Sequence, residues 1–230
     1  MGPYGSRTWT YDKVGNRTGE VKVVGGVTTT QTYTYPATSN RLASITVGGT
    51  AVRSFTYDAA GSQTGDTRSG TAYATTINNA GRISQLTIVG SVKANYSYDH
   101  RNRLSIRQTL NMTPAGTTHF IFDKHDRLLA ETNGAGQTIR EYVWVGDTPV
   151  AVLDGSSTPT NPTLLFVHTD HLKRPELMTN ASKTIVWKAL YEPFGAGPRR
   201  LGSARSLAGP RNSRHGLRGA SGRARNRSSP

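Results

Sequence analysis

Apolar and polar side chains alternate one by one through most of the chain, in short runs separated by Gly, Asn and Asp. Examples are Tyr33-Thr34-Tyr35, Ser54-Phe55-Thr56-Tyr57, Asn95-Tyr96-Ser97-Tyr98 and His119-Phe120-Ile121-Phe122. Alternation of this kind puts every second side chain on one face of a β-strand. Each run ends in a polar segment with Asp first and Gly or Asn a few residues later. Asp accepts hydrogen bonds from nearby backbone amides, and Gly or Asn tolerates positive φ, so the segment predicts a three- to five-residue hairpin loop. A second strand is predicted after it, for example over Arg41–Val47 and Arg82–Val89. Gly48-Gly49 and Gly90 then punctuate the strands. No long apolar pattern of period 3.6 competes, so almost no helix is expected.

The hairpin pattern repeats. Aligned on the residue before the polar segment, six units have anchors at positions 11, 35, 57, 77, 98 and 122, spaced by 24, 22, 20, 21 and 24 residues. The recurring residues are Tyr11, Asp12 and Gly15; Tyr35, Asn40, Arg41 and Leu42; Tyr57, Asp58 and Gly61. They continue with Tyr98, Asp99, Arg103 and Leu104, then Phe122, Asp123, Arg127 and Leu128. A unit of this size cannot bury its own apolar face, but stacking on its neighbours can. The expected architecture is a long antiparallel sheet that grows hairpin by hairpin and coils under its twist. In it the aromatic packs on a sheet face, Asp ties the turn and Gly lets the chain reverse.

Tyr-Asp-x-x-Gly-Asn-Arg, Asn-Arg-Leu and their serial spacing resemble the Rhs/YD-repeat family, over roughly residues 4–195. "EYVWVGDTPVAVLD" (141–154), "FVHTDHLKRPELMTNASKTIVW" (166–187) and "YEPFG" (191–195) resemble the C-terminal part of the Rhs core. The resemblance implies an all-β fold of stacked hairpins forming part of a spiral β-cocoon. It implies a hairpin array over 1–140, a core segment over 141–195 and an arginine-rich, disordered tail over 196–230. In bacterial polymorphic toxins of the family, used against competitors or hosts, such a shell encloses a C-terminal toxin domain. The implied partners are therefore the remainder of the shell and an enclosed toxin, and the implied location is secreted or cell-envelope associated. On this reading the chain is a fragment of a non-catalytic wall. The family's self-cleavage junction after the core has no counterpart here, so neither cleavage nor toxin activity carries over to any residue.

Composition narrows this reading only slightly. Apolar residues make up 34% of 230 residues, which allows a thin core. There is no cysteine, hence no disulfide frame and no thiolate metal site. No stretch approaches the roughly 18 consecutive apolar residues of a membrane span, and "MGPYGSRTWT" has no apolar targeting core. The net charge of +14 is uneven, since residues 196–230 hold nine arginines and no acid. That tail reads as a disordered segment, as an out-of-frame end, or as a non-specific polyanion contact. No specific nucleic-acid partner is expected.

Candidate chemistry is sparse. The repeat aromatics and acids (Tyr11-Asp12, Tyr57-Asp58, Tyr98-Asp99, Phe122-Asp123) offer an alternative reading as a carbohydrate or cell-wall binding module. Against it, Ile77 and Pro36 occupy the aromatic and acid places of other units, swaps a binding code would tolerate poorly. His168, Asp170 and His171 are metal-ligand types, but clustered partners are lacking, and strand-to-turn is the simpler account. Asp147 and Asp154 bracket a strand rather than a cleft. No catalytic, cofactor or metal residue is assigned.

Overall fold

The computed structural model describes residues 5–189 and 191. The core segment's residues 192–195 and the tail 196–230 lie outside the described residues. The fold is all-β, as the alternation predicts: seventeen strands in antiparallel sheet and no helix among the described residues. Two compact units are present, one comprising Met1–Gly81 with Thr87–Gly90, the other beginning with Arg82–Leu86 and continuing from Ser91.

The first unit contains β1 (Ser6–Tyr11), β2 (Arg17–Val24), β3 (Val27–Thr34), β4 (Ser44–Val47), β5 (Thr50–Tyr57), β6 (Gln63–Arg68) and β7 (Thr71–Ile77). Each pairs antiparallel with the next along the chain. The division between units falls inside β8 (Ile83–Ile88). The second unit continues with β9 (Ser91–Tyr98), β10 (Leu104–Thr109), β11 (Gly116–Phe122), β12 (Leu128–Asn133), β13 (Thr138–Val145) and β14 (Thr148–Asp154). It ends with β15 (Thr163–Thr169), β16 (Pro175–Thr179) and β17 (Ile185–Lys188). These also pair serially, β9 through β17. β1, β5, β9, β11 and β15 run out to turns opened by Asp12, Asp58, Asp99, Asp123 and Asp170, β3 runs to the Pro36 loop and β7 to a turn opened by Asn78.

Two predicted strands are shorter than expected. β4 begins at Ser44 rather than Arg41, because the loop after Tyr35 carries Pro36 and closes through Ser39 N–H to the Pro36 carbonyl (3.1 Å). β8 stops at Ile88, where Val89 takes φ 47° and Gly90 φ 74° in a two-residue reversal. Gly48 and Gly49 fill the same role with φ 56° and 81°, the left-handed pair a tight hairpin needs.

Register sorts the side chains. In the first unit Trp9, Glu20 and Gln31 lie opposite one another in succession, as do Tyr33, Ile45, Arg53 and Arg68. Phe55, Asp66 and Tyr73 share that face. It contains the unit's buried residues Tyr33, Ile45, Glu20 and Asp66. The opposite face presents small hydroxyl side chains, with Thr34, Ser44, Ser54 and Thr67 in one cross-strand row. In the second unit the row Phe120, Glu131, Arg140, Asp154 precedes an apolar cluster of Val152, Leu165, Met178, Trp187 and Ala189.

Candidate functional site

The repeat residues come together at the ends of the hairpins, where one five-residue loop is built again and again. Its first residue is Asp or Asn. In the loop opened by Asp12, Oδ1 accepts the amides of Val14 (3.0 Å) and Asn16 (2.8 Å), and the Asp12 amide donates to the Asn16 carbonyl (2.9 Å). Asp99 takes the amides of Arg101 and Arg103, each at 2.9 Å, and Asp123 those of His125 and Arg127 at 2.8 and 2.9 Å. Asp58 accepts the Ser62 amide at 2.8 Å. The fourth residue always has positive φ. It is Gly at 15 and 61 (φ 87° and 88°), Asn102 (59°) and Asp126 (67°). For a residue with a Cβ this conformation is costly, and the carboxylate's grip on the loop offsets the cost. A bulge in strand pairing immediately precedes the loop, between Thr10 and Tyr11, Thr56 and Tyr57, and Ile121 and Phe122. It supplies the extra residue that the loop closes on.

Where the fifth residue is Arg, its guanidinium completes the lock. Arg103 Nε reaches Asp99 Oδ2 at 2.7 Å, and Arg127 Nε reaches Asp123 Oδ2 at 2.6 Å. Burial disfavours the charged form of Asp12, Asp99 and Asp123, but the amide and side-chain donors together outweigh it. All three carboxyls are held below the ordinary Asp value.

The anchor aromatics reach sideways. Tyr35 Oη donates to the Arg17 carbonyl (3.1 Å), Tyr57 Oη to Leu42 (2.9 Å) and Tyr98 Oη to Ile83 (2.7 Å). Arg17 and Ile83 are the first residues of β2 and β8, just past the preceding turn, and Leu42 lies two residues before β4. The turn arginine of that preceding hairpin lies over the same ring, Arg41 over Tyr57 at 5.9 Å and Arg103 over Phe122 at 4.9 Å. Arg103 Nη1 also donates to the Asp123 carbonyl at 2.9 Å, so one loop is fastened to the next.

No family model matches the chain, and no curated protein matches it. Solved structures do resemble it. The likeness to the TcdB2–TccC3–Cdc42 crystal structure covers 85% of this chain and 12% of that one, at 16% identity and a TM-score of 0.49. For TcdB2–TccC3 without its hypervariable C-terminal region the shares are 86% and 12%, at 14% identity and a TM-score of 0.48. For a Photorhabdus luminescens Tc holotoxin pore they are 85% and 15%, at 10% identity and a TM-score of 0.31. The chain therefore spans about an eighth of the first two chains it resembles.

The same joint extends past the six units legible in the sequence. Trp144 Nε1 donates to the Leu128 carbonyl (2.8 Å) and Tyr191 Oη to Pro175 (2.7 Å), with Arg174 over the Tyr191 ring at 4.8 Å. Asp170 opens a loop identical in kind, accepting the amides of Leu172 (2.8 Å) and Arg174 (2.9 Å) and the Arg174 Nε (2.7 Å). Asn133 and Asn180 open further copies at the opposite hairpin ends. The signal was present: "DHLKR" at 170–174 matches "DHRNR" at 99–103 in three of five places, the opening Asp, the His and the closing Arg. The Asp170 carboxylate is thus committed to its turn, and His168 Nε2 lies 3.1 Å from Thr179 Oγ1. Asp170 opens the turn that follows β15, whose last residue is Thr169. Among the described residues no three His, Asp or Glu are placed to share a metal ion. Asp147 is exposed on the Gly146 reversal, and Asp154 lies 3.5 Å from Arg140.

A second constellation was not anticipated. Glu20, Asp66 and Glu131 each lie eight residues after a turn Asp and are buried. Glu20 pairs with Arg7 and accepts Tyr33 Oη at 2.9 Å. Asp66 accepts Arg53 through Nε (3.0 Å) and Nη2 (2.6 Å), and Arg68 through Nε (2.8 Å). Glu131 accepts Tyr142 Oη at 2.6 Å, with Arg140 at 3.5 Å. Burial opposes ionisation of Asp66, yet the two arginines win and its carboxyl is held below the ordinary value. Tyr33 and Tyr142 are pushed well up, first by burial and then by the neighbouring carboxylate, so both remain neutral donors.

Proposed function

We propose that this chain is a wall segment of an Rhs-type β-shell, in which the repeat residues join hairpins instead of serving a reaction. One observation carries the reading. The acids of the repeat are spent on their own turns, and the anchor hydroxyls on a carbonyl of the adjacent strand. A residue set so employed makes each hairpin a brick that fixes the position of its neighbour, which is what a continuous wall requires. The partners on this reading are further hairpins of the same shell and the cargo that it encloses, in a secreted or surface-delivered toxin.

The test is to express the polypeptide that contains this chain in its natural reading frame and image it by electron microscopy while probing it with trypsin. A hollow particle whose interior segment resists protease until the wall is opened supports the proposal. An open sheet with its remaining sequence cleaved as fast as a free peptide overturns it.

A further inference from the structure

Two of the buried acids are held by the same pair of donors, a guanidinium and a phenol. Glu20 takes Arg7 and Tyr33 Oη, and Glu131 takes Tyr142 Oη at 2.6 Å with Arg140 at 3.5 Å. The strand β10 departs from this scheme. Arg107 stands eight residues after Asp99, the place that Glu20, Asp66 and Glu131 occupy after their own turns. Its cross-strand neighbours are Tyr96 on β9 and Thr118 on β11, so a guanidinium and a phenol again lie side by side on one sheet face. Here no acid completes the set.

The contacts of Arg107 within the chain are weak. Nη2 lies 3.5 Å from Thr118 Oγ1, and the guanidinium sits 5.5 Å from the centre of the Phe120 ring. Nε is shut away from water and has no acceptor. No carboxylate is paired with Arg107 among the described residues. Glu131, which faces Phe120 on the same side of the sheet, is engaged by Arg140 and Tyr142. Tyr96 Oη likewise has no hydrogen-bond partner among the described residues. Burial pushes this phenol up against the pull of the Arg107 charge, so it stays a neutral donor. Arg107 is only half-buried, which leaves its outer nitrogens within reach of an incoming group. A partly desolvated cation without a counter-charge is unfavourable, and a carboxylate on those nitrogens offsets the cost.

We propose that Arg107 and Tyr96 form a binding site for a carboxylate that these strands do not themselves supply. A carboxylate rather than a phosphate follows from the molecule's own usage, since the guanidinium–phenol pair holds a carboxylate at Glu20 and at Glu131. The flat guanidinium fork matches two carboxylate oxygens, and Tyr96 Oη donates to the same group. The carboxylate comes from an acidic side chain of a bound polypeptide or from a free small acid. The site stands or falls independently of the wall reading, because it uses only β9–β11.

The test uses the full chain with isotope-labelled arginine. The Nε–H resonance of Arg107, identified by its loss in Arg107→Met, is followed while one of four probes is added at constant ionic strength. The probes are acetyl-Gly-Glu-Gly-amide, its Gln counterpart, acetate and inorganic phosphate. The Glu peptide shifts the resonance saturably and binds roughly tenfold or more tightly than the Gln peptide, the worth of a charged hydrogen bond. Tyr96→Phe weakens that binding roughly fivefold, the worth of one hydrogen bond. Thr118→Glu, which sets an acid directly opposite Arg107, abolishes peptide binding by filling the site. Urea unfolding read by exchange mass spectrometry separates a ligand site from a structural role. Arg107→Met leaves the unfolding midpoint of β9–β11 as high as before or higher, because it removes an unpaired charge. Arg140→Met lowers the midpoint of β12–β14, because Glu131 and Asp154 lose their cation. Acetate binding as tight as that of the Glu peptide assigns the site to a free acid, tighter peptide binding assigns it to an acidic side chain, and either upholds it. The absence of a saturable shift with any carboxylate overturns the proposal, as does equal binding of the Glu and Gln peptides. Tighter binding of phosphate than of either carboxylate overturns it too, as does an affinity that Tyr96→Phe leaves intact. So does an Arg107→Met chain destabilised as much as Arg140→Met.

Discussion

One backbone plan carries opposite buried chemistry: the first unit, like Glu131 in the second, buries acids, whereas the last strands of the second unit bury an apolar cluster. In the first unit the place eight residues past the turn Asp holds Glu20 or Asp66, each buried and gripped by arginines. In the second unit the same place after Asp170 holds Met178, inside an apolar cluster with Val152, Leu165 and Trp187. The strand pairing around it is alike, with Asp66 opposite Phe55 and Met178 opposite Val167. The difference teaches that the turn and the lateral joint define the repeat, while the buried face is free to be ionic or apolar so long as each position finds its partner. A charge taken from water is tolerated only when its hydrogen bonds are replaced, and Asp66 and Glu20 meet that condition with guanidinium and phenol donors.

The most damaging way to break the comparison is to move an acid into the apolar place. Met178→Glu puts a carboxylate among Val152, Leu165 and Trp187, with an expected loss of about 3–5 kcal/mol, the cost of an uncompensated buried charge. Urea unfolding followed by exchange mass spectrometry should place that loss in β15–β17 and leave β1–β7 protected. The reverse intrusion is milder. Glu20→Gln keeps the shape and one acceptor but loses a charged hydrogen-bond partner of Arg7 and Tyr33, for about 2 kcal/mol, localised to β1–β3. An effect spread evenly over both units would contradict the idea that each solves its burial locally.

The lateral joints are common to both units, and their removal should cost alike in each. Tyr57→Phe and Tyr98→Phe should each lose about 1 kcal/mol, the net worth of one hydrogen bond, and the two should add, being far apart in the chain and sharing no partner. A double-mutant measurement departing from additivity would point to coupling along the row of joints.

The smallest effect separates Asp-led from Asn-led turns. Asp12, Asp99, Asp123 and Asp170 have folded-state values below the ordinary one, so their contribution is fully present above the unfolded Asp value near 4. It is lost as pH falls through the depressed folded values. Asn133 and Asn180 hold their turns with an amide oxygen that does not titrate over this range. Amide exchange between pH 5 and 2, corrected for its intrinsic rate, should loosen the first four turns and leave the Asn turns as they were. Equal loosening of both kinds would remove the carboxylate from the account.

Much of this molecule was legible because its regularities are local. Alternation, Asp-led turns and Gly at the left-handed position depend on residues within one hairpin, and Asp58 with Gly61 shows the whole device in five residues. Recognition failed where a substitution hid the pattern. Trp144 replaces Tyr as the sideways donor, and Lys173 replaces Gly at positive φ (60°), so the later turns passed as separate features.

The sequence by itself determined an all-β chain of hairpins, their spacing and the residues that close each turn, since all of these are set by short-range sterics and hydrogen bonding. Only the tertiary structure decided which carbonyl each aromatic reaches and which arginine serves which buried acid. Those facts depend on strand register, which brings together residues some 13 to 18 positions apart in the chain. No spacing rule within a single hairpin contains that information.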